Sequence, residues 1–172
     1  GDVFFGASVA LSASGNFSGG NTYFTSNATV VSLGATNRID GGTLVFNTTR
    51  PVPLGAVTFY AGTIGGSDTV NIAGPSLWQN GFFDGTNTIN LSGVTRLQAA
   101  INPYYHYLRG RTIRNLGTVI NSYGHYYGGG GTLIDNAPGA TWIEDTPHNA
   151  IFYNLYAGPA TFVNRGVFIK TN

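Results

Sequence analysis

A short string recurs along this chain: a threonine, an apolar residue, and an asparagine within the next few positions. The copies are TLVFN at 43–47, TVN at 69–71, TIN at 88–90, TIRN at 112–115, TLIDN at 132–136 and TFVN at 161–164. Successive asparagines lie 19 to 28 residues apart, about 23 on average. Self-similarity at a period of this length is typical of solenoids, in which each repeat is one structural unit.

The repeat predicts a strand, a tight turn and a second strand in each unit. Asparagine and glycine suit the turn because both tolerate left-handed backbone, and an asparagine side chain can also bond nearby backbone. If the units stack, the asparagine side chains can form a ladder in which each amide donates to the next. The predicted structural ladder consists of Asn47, Asn71, Asn90, Asn115, Asn136 and Asn164.

The composition indicates an all-β protein. Glycine accounts for 26 of the 172 residues, charged residues for only 9% and aromatic residues for 13%. Threonine, valine, isoleucine, phenylalanine and tyrosine, which fit a pleated surface, take the place of the usual helix formers.

We therefore predict a single-domain parallel β-solenoid over residues 1–172, with about seven coils. One coil of short strands has no enclosed apolar face and acquires one only from its neighbours, which favours stacking over separate folding. Residues 1–40 show the repeat least clearly and are predicted to be an atypical capping region. The alternative is an antiparallel β-sandwich, in which the Asn and Gly positions would be unrelated hairpin turns.

Charge and cysteine content restrict the function. The formal net charge is +1, which gives no electrostatic footprint for nucleic acid. The chain has no cysteine, which is compatible with an extracellular or cell-surface location, where free thiols are a liability. No apolar run is long enough to be a transmembrane segment. Because the chain begins at Gly1 without a methionine or a positively charged leader, we expect a mature product or an excised segment.

The sequence offers few catalytic parts, and we predict no catalytic residue, no metal site and no cofactor. Glu144 and Asp145 are adjacent, so on a strand their side chains point to opposite faces rather than converging as a glycosidase pair. His106, His125 and His148 are too widely spaced for a zinc motif. A less favoured alternative is a polysaccharide lyase that brings Asp135 and Glu144 onto one face with Arg111 or Arg114.

Aromatic residues cluster in the second half of the chain at offsets that follow the repeat. Side-by-side tyrosines can stack on sugar rings or anchor a protein partner, although a core and loop-packing cluster explains the same pattern. We expect at least part of this set to be exposed and to mediate self-association or glycan contact. The set is Tyr104, Tyr105, Tyr107, Tyr123, His125, Tyr126, Tyr127, Tyr153 and Tyr156.

About the last hundred residues resemble the β-helix repeats of large bacterial surface and autotransporter-like proteins of the filamentous-haemagglutinin type. The strings that carry the resemblance are WQNG at 78–81, GTNTINL at 85–91, GRTIRNLGT at 110–118 and NRGVFIKT at 164–171. The resemblance implies a right-handed parallel β-helix in an exported, often adhesive protein. It supplies no catalytic residues.

These observations together predict a non-catalytic extracellular structural or adhesive β-solenoid. The terminal sequences at 3–5 and 167–169 are apolar and carry no charged or proline blocker, so the end coils are expected to template further stacking, as exposed edge strands do. Head-to-tail assembly into filaments is therefore predicted. The alternative is a carbohydrate-binding or polysaccharide-cleaving β-helix that uses its aromatic face.

Overall fold

The computed structural model describes residues 1–100, 105–147 and 152–171, and they form a parallel β-solenoid. Twenty-four short strands and no helix occur in these ranges. Every strand pair is parallel, and each strand pairs with strands three places away in the chain. The prediction of an all-β parallel solenoid of about seven turns is confirmed, and the antiparallel sandwich receives no support.

The solenoid has three faces, and the strands visit them in strict rotation. The first face is one eight-stranded sheet. Its strands are β1 (Asp2–Phe5), β4 (Asn21–Phe24), β7 (Thr43–Phe46), β10 (Thr63–Gly66), β13 (Phe82–Asp84), β16 (Tyr105–Arg109), β19 (His125–Gly128) and β22 (Phe152–Asn154).

The second face consists of a two-stranded sheet followed by a six-stranded sheet. The short sheet contains β2 (Ser8–Leu11) and β5 (Thr29–Leu33). The longer sheet contains β8 (Val52–Leu54), β11 (Val70–Ile72), β14 (Thr88–Leu91), β17 (Thr112–Asn115), β20 (Leu133–Asn136) and β23 (Thr161–Asn164).

The third face is again one eight-stranded sheet. Its strands are β3 (Ser14–Phe17), β6 (Thr36–Ile39), β9 (Ala56–Phe59), β12 (Ser76–Trp78), β15 (Val94–Gln98), β18 (Thr118–Tyr123), β21 (Thr141–Glu144) and β24 (Val167–Lys170). One turn of the solenoid, here called a rung, therefore contains three strands, whereas the sequence predicted two.

The rungs differ in length although their strands stay in register. Paired residues on the second face are 18 positions apart at Val52 and Val70 but 28 apart at Leu133 and Thr161. Part of the difference lies in the corner before the second face, where residues 155–160 separate β22 from β23 but only residues 67–69 separate β10 from β11. Corner loops absorb such insertions at little cost, because the strands are fixed by their hydrogen bonds to the rungs above and below.

The core is a set of columns, since alternate residues of each strand point inward and stack on their counterparts in the next rung. On the second face, one such column is at most 2% exposed throughout. It consists of Val52, Val70, Ile89, Ile113 and Ile134. On the first face, the rings of Phe5, Phe24 and Phe46 stack with centroids 5.1 and 4.9 Å apart.

Glycine is required where the chain turns from the first face to the second. Gly66 has φ +101° and Gly85 has φ +104°, a region that side-chain-bearing residues rarely adopt. A Cβ atom on Gly66 would lie 2.2 Å from the carbonyl oxygen of Phe46, and one on Gly85 would lie 2.2 Å from that of Gly66. The corner can therefore stack closely only with glycine at these positions.

Residues 1–40, predicted to be an atypical cap, form two rungs with the same strand rotation as the rest. β1 leads through β4 into β7, and β3 leads through β6 into β9. They differ in that β2 and β5 form a sheet of their own, whose register shifts between Val9 and Ala10. That residues 1–40 serve as a cap stays a prediction.

Burial in the columns predicts a large difference between two leucines of the same chain. Leu44 is 2% exposed inside the first face, whereas Leu116, in the corner after β17, is 45% exposed. We expect Leu44→Ala to lower the free energy of unfolding by roughly 2–5 kcal/mol, because it removes buried methyl groups and leaves a cavity.

The measurement is urea denaturation followed by circular dichroism, with Leu116→Ala as the matched control. That control should change stability by less than about 0.5 kcal/mol. Equal losses in the two variants would contradict the inward assignment of Leu44.

Candidate functional site

The inward column at the corner between the second and third faces changes character along the rod. In three successive rungs it contains the apolar residues Leu54, Ile72 and Leu91. In the next three, the same position holds Asn115, Asn136 and Asn164. The change replaces apolar contact by hydrogen bonding inside the same stack.

These three asparagines form a ladder. The Asn115 amide donates to Asn136 Oδ1 at 2.8 Å, and the Asn136 amide donates to Asn164 Oδ1 at 2.6 Å. The same two amide groups donate to the carbonyls of Thr141 and Val167, which begin the third-face strands of the next rungs. Asn115 and Asn136 are fully buried, so the ladder ties together faces as well as rungs.

The other three predicted ladder residues lie elsewhere, which corrects the expectation of one continuous ladder. Asn71 and Asn90 form a separate pair on the outer side of the second face, with a 2.8 Å bond from the Asn90 amide. Asn90 is in register with Arg114, not with Asn115. Asn47 follows β7 on the first face, where its Oδ1 accepts from the backbone N–H of Ser67.

A column of aromatic rings runs along the outside of the first face. We call Phe82, Tyr107, Tyr127 and Tyr153, which are in register on four successive rungs, the outer aromatic column. Its ring centroids are 4.5, 5.7 and 4.8 Å apart in order, with interplanar angles of 22°, 12° and 23°. The rings therefore stack, and each is half-buried by its neighbours.

Tyr105 and His125 flank the outer aromatic column on the same side of the sheet. They are in register with each other, with ring centroids 5.9 Å apart. The ring of Tyr105 meets that of Tyr127 edge to face at 3.9 Å. His125 likewise meets the ring of Tyr153 edge to face at 5.9 Å. Tyr127 therefore lies at the centre of the aromatic cluster.

Two phenol groups of this cluster, those of Tyr107 and Tyr127, are held in their neutral form. A hydrogen bond with the Tyr105 hydroxyl is the main cause that raises the pKa of Tyr127 to about 12. Burial raises the pKa of Tyr107 above its ordinary value. At physiological pH Tyr107 and Tyr127 therefore contribute uncharged rings and hydroxyl groups to this surface.

Three further members of the predicted aromatic set are not part of the outer aromatic column. Tyr126 points into the core and is 5% exposed. Tyr123 ends β18 on the third face. Tyr156 lies beyond β22, with its ring 5.5 Å from the guanidinium carbon of Arg109. Tyr104, like His148, lies outside the described residues.

Arg111 is fully buried and binds backbone in earlier rungs. Its guanidinium donates to the carbonyls of Asp84 at 2.6 Å, Asp68 at 3.1 Å and Gly66 at 2.8 Å. Burial lowers the pKa of Arg111 to about 10, so the group stays charged at neutral pH. It thus acts as a clamp between rungs and is closed to an external ligand.

The four residues of the lyase alternative do not meet on one face, which corrects that expectation. Asp135 is on the outer side of the second face, where Arg114 and Arg165 pair with it at 3.4 and 2.5 Å. Glu144 ends β21 on the third face and is 6% exposed. Asp135 therefore has Arg114 beside it on the second face, but neither Glu144 nor Arg111 joins them there.

Glu144 belongs to a buried polar network. Its carboxylate accepts from the Asn121 amide at 2.5 Å, from the Tyr126 hydroxyl at 3.2 Å and from the indole N–H of Trp142 at 3.4 Å. Burial raises the pKa of Glu144 despite these donors. Asn121 and Glu144 continue an inward column that is apolar at Leu97.

His106 is the buried counterpart of the exposed rings. It is 0% exposed, its ring lies 4.8 Å from that of Trp78, and its Nε2 is 3.3 Å from the carbonyl of Tyr123. Its Nδ1 has no hydrogen-bond partner among the described residues. Burial lowers the pKa of His106 to about 4, because a second N–H would place a charge in the core without an acceptor.

The sequence did not predict that Phe82 belongs to the outer aromatic column. It also did not predict that Arg111 links rungs or that Glu144 lies in a buried polar network. A signal for Phe82 was present, since it precedes Tyr107 by one rung. The role of Glu144 depends on which side of β21 faces inward, and that side follows from the three-strand rung. Arg111 lies in the corner between β16 and β17, so its role depends on how that corner stacks on earlier rungs.

Loss of the central ladder residue should destabilise the rod. Asn136→Ala removes the acceptor of one Asn115 amide bond, and it removes the amide that donates to Asn164 Oδ1 and to the carbonyl of Val167. We expect the free energy of unfolding to fall by about 1–3 kcal/mol, as measured by urea denaturation.

The matched control is Asn154→Ala, because Asn154 is exposed on β22. It should cost less than about 0.5 kcal/mol. If Asn136→Ala is no worse than this control, the buried ladder does not contribute to stability.

His106 should make the protein less stable in mild acid. Its pKa is about 4 in the folded chain against 6.5 as the ordinary value, so folding excludes a proton in this window. The contribution of neutral His106 to the free energy of unfolding is complete above pH 6.5. It is lost as the pH falls towards 4, and the loss is at most roughly 3 kcal/mol. Urea midpoints recorded between pH 4 and 7 measure it.

His106→Phe should flatten this part of the pH profile, whereas Tyr60→Phe, at a ring that is 38% exposed, should leave the slope in place. A slope that survives His106→Phe unchanged would mean that other groups cause it.

Among the described residues, no group of three or more histidine, aspartate or glutamate side chains could hold a metal ion, and no helix could cross a membrane. Searches of family models, curated proteins and solved structures found nothing that matches this chain.

Proposed function

We propose that the chain is a non-catalytic structural module of an extracellular or cell-surface protein, a rod whose end rungs stack head to tail on another copy. The observation that carries the proposal is the state of the two ends. Val3 and Phe4 on β1 are 50% and 65% exposed. Val167, Phe168 and Ile169 on β24 are 53%, 46% and 39% exposed.

The parallel architecture makes these two ends complementary. Each strand bonds on one side to the rung before it and on the other side to the rung after it. The edge of β22, β23 and β24 therefore offers the backbone pattern that β1, β2 and β3 can accept, in the same direction and on the same three faces. Stacking a second copy would cover these apolar side chains and pair the open backbone edges. Unprotected edge strands readily associate with other chains in this way.

The charged groups support a structural role because they hold rungs to one another. Arg109 forms an ion pair with Asp84 across neighbouring rungs. Asp68 accepts bonds from the backbone N–H groups of Thr48 and Thr49, one rung earlier. These charged groups bind neighbouring rungs to one another, as expected of a structural rod.

An extracellular or surface location is supported by the low charge, the absence of cysteine and the resemblance to bacterial surface β-helix repeats. The alternative, a carbohydrate-binding or carbohydrate-cleaving β-helix, would use the outer aromatic column. In that column the flat faces of Tyr107 and Tyr127 are covered by neighbouring rings, and stacking on sugars requires open faces. This geometry favours the structural proposal.

Electron microscopy and sedimentation velocity at rising protein concentration test the stacking. We expect filaments with a rung spacing of ~4.8 Å and a weight-average mass that increases with concentration. Phe168→Lys should abolish assembly, because it places a charge on the apolar end of the core.

The matched control is Val31→Lys, which introduces the same charge at a position that is 59% exposed on β5, away from the last rung. It should assemble like the wild type, and circular dichroism should show that both variants keep their β-structure. Separate particles at every concentration would contradict head-to-tail stacking and leave glycan binding by the aromatic surface as the better explanation.

A further inference from the structure

The structure brings together two tyrosines that are distant in sequence and lie on the outside of successive rungs. The ring centroids of Tyr105 and Tyr127 are 3.9 Å apart, with an interplanar angle of 79°. Both rings are half-buried and therefore partly open to solvent. Their strands, β16 and β19, are fixed in register by backbone pairing, so the contact is maintained by the fold.

Both side chains are phenols, and in their edge-to-face contact the edge of one ring lies against the other ring. In a phenol, the ortho carbon is bonded directly to the carbon that bears the oxygen. Two phenol rings in edge contact at a centroid separation of 3.9 Å hold such carbons close to the neighbouring ring. Coupling joins two rings through their ortho carbons, so this contact brings the atoms that would be linked near each other.

We propose that Tyr105 and Tyr127 are a site of oxidative cross-linking, at which a haem peroxidase with hydrogen peroxide converts them into an intramolecular dityrosine. Each phenol loses one electron and one proton, and the two phenoxyl radicals combine to form one carbon–carbon bond between ortho carbons. The hydrogen on each of these carbons then moves to its oxygen and restores the aromatic rings. The chain loses two hydrogen atoms in total, and hydrogen peroxide is reduced to two molecules of water.

Proximity is the reason for selecting this pair. Holding two reactants in contact converts a bimolecular coupling into an intramolecular one, with a large gain in effective concentration. The surrounding rings assist, because Tyr107 and Tyr153 stack on Tyr127 and restrict its motion. The product would tie two rungs together covalently and so resist separation of the stack.

The inference goes beyond the proposed structural function and does not depend on head-to-tail stacking. The experiment therefore uses the full chain at low concentration, with hydrogen peroxide and a haem peroxidase, and includes the Phe168→Lys variant. That variant should cross-link like the wild type whether or not the wild type forms filaments.

Mass spectrometry is the readout. Trypsin cleaves after Arg96, Arg109 and Arg114, which places Tyr105 in peptide 97–109 and Tyr127 in peptide 115–165. We expect these two peptides to be joined, with the loss of two hydrogen atoms and the fluorescence of dityrosine. The joined pair should disappear when the chain is unfolded in urea before oxidation.

Substitutions identify the atoms involved. Tyr127→Phe and Tyr105→Phe should each abolish the joined pair, because either change removes a phenol without removing a ring. Tyr60→Phe is the control, since Tyr60 is 38% exposed and lies on another part of the rod beside Arg38. Persistence of the link in Tyr105→Phe would assign it to another tyrosine of peptide 97–109. That result would overturn the proposal. So would covalent dimers as the main product, or the absence of a joined peptide from the folded wild type.

Discussion

The hydrogen-bonded pairing of each strand with the rungs before and after it is the constraint on which the whole molecule depends. Parallel pairing in register places each residue directly above its counterpart in the next rung. Each side chain must therefore pack against, or hydrogen-bond to, the side chain at the same position one rung away. Columns follow from this constraint: aliphatic columns inside, an aromatic column outside, and glycine at the corner where Gly66 and Gly85 stack. The lengths of the rungs are free to vary because the corners carry the insertions.

The same constraint explains why polar groups can enter the core in the later rungs. An isolated buried amide is costly, but an amide stacked on another amide finds its partner at the distance that the backbone imposes. Asn115, Asn136 and Asn164 are therefore consecutive, and they replace a run of apolar residues as a block. On the third face, Asn121 and Glu144 make a similar change after Leu97, and the donors around Glu144 offset part of the cost of burying a carboxylate.

The sequence predicted the period, the parallel stacking and the all-β composition, because these follow from the repeat and from residue preferences. It did not predict the three-strand rung, since the recurring string marks mainly the second face and the first-face strands share no motif. Asn47 shows the consequence. TLVFN at 43–47 resembles the second-face strings, yet Phe46 points into the core on the first face, which places Asn47 outside any ladder. The aromatic surface was only partly predictable, because Tyr126 and Tyr127 are adjacent and the sequence alone does not say which one faces inward.

Whether the aromatic rings serve binding or stability depends on how they meet one another. A ring that binds a sugar must present an open face. The rings of the outer aromatic column instead stack face to face on each other and gain the stacking energy of aromatic pairs. The column therefore does on the outside what the phenylalanine column does on the inside, where Phe24 and Phe46 stack between rungs. What distinguishes the outer column is its hydroxyl groups, which keep the surface polar and provide chemistry that phenylalanine lacks. A solenoid needs attraction between rungs on every face, and stacked tyrosines supply it on a face that is also in contact with water.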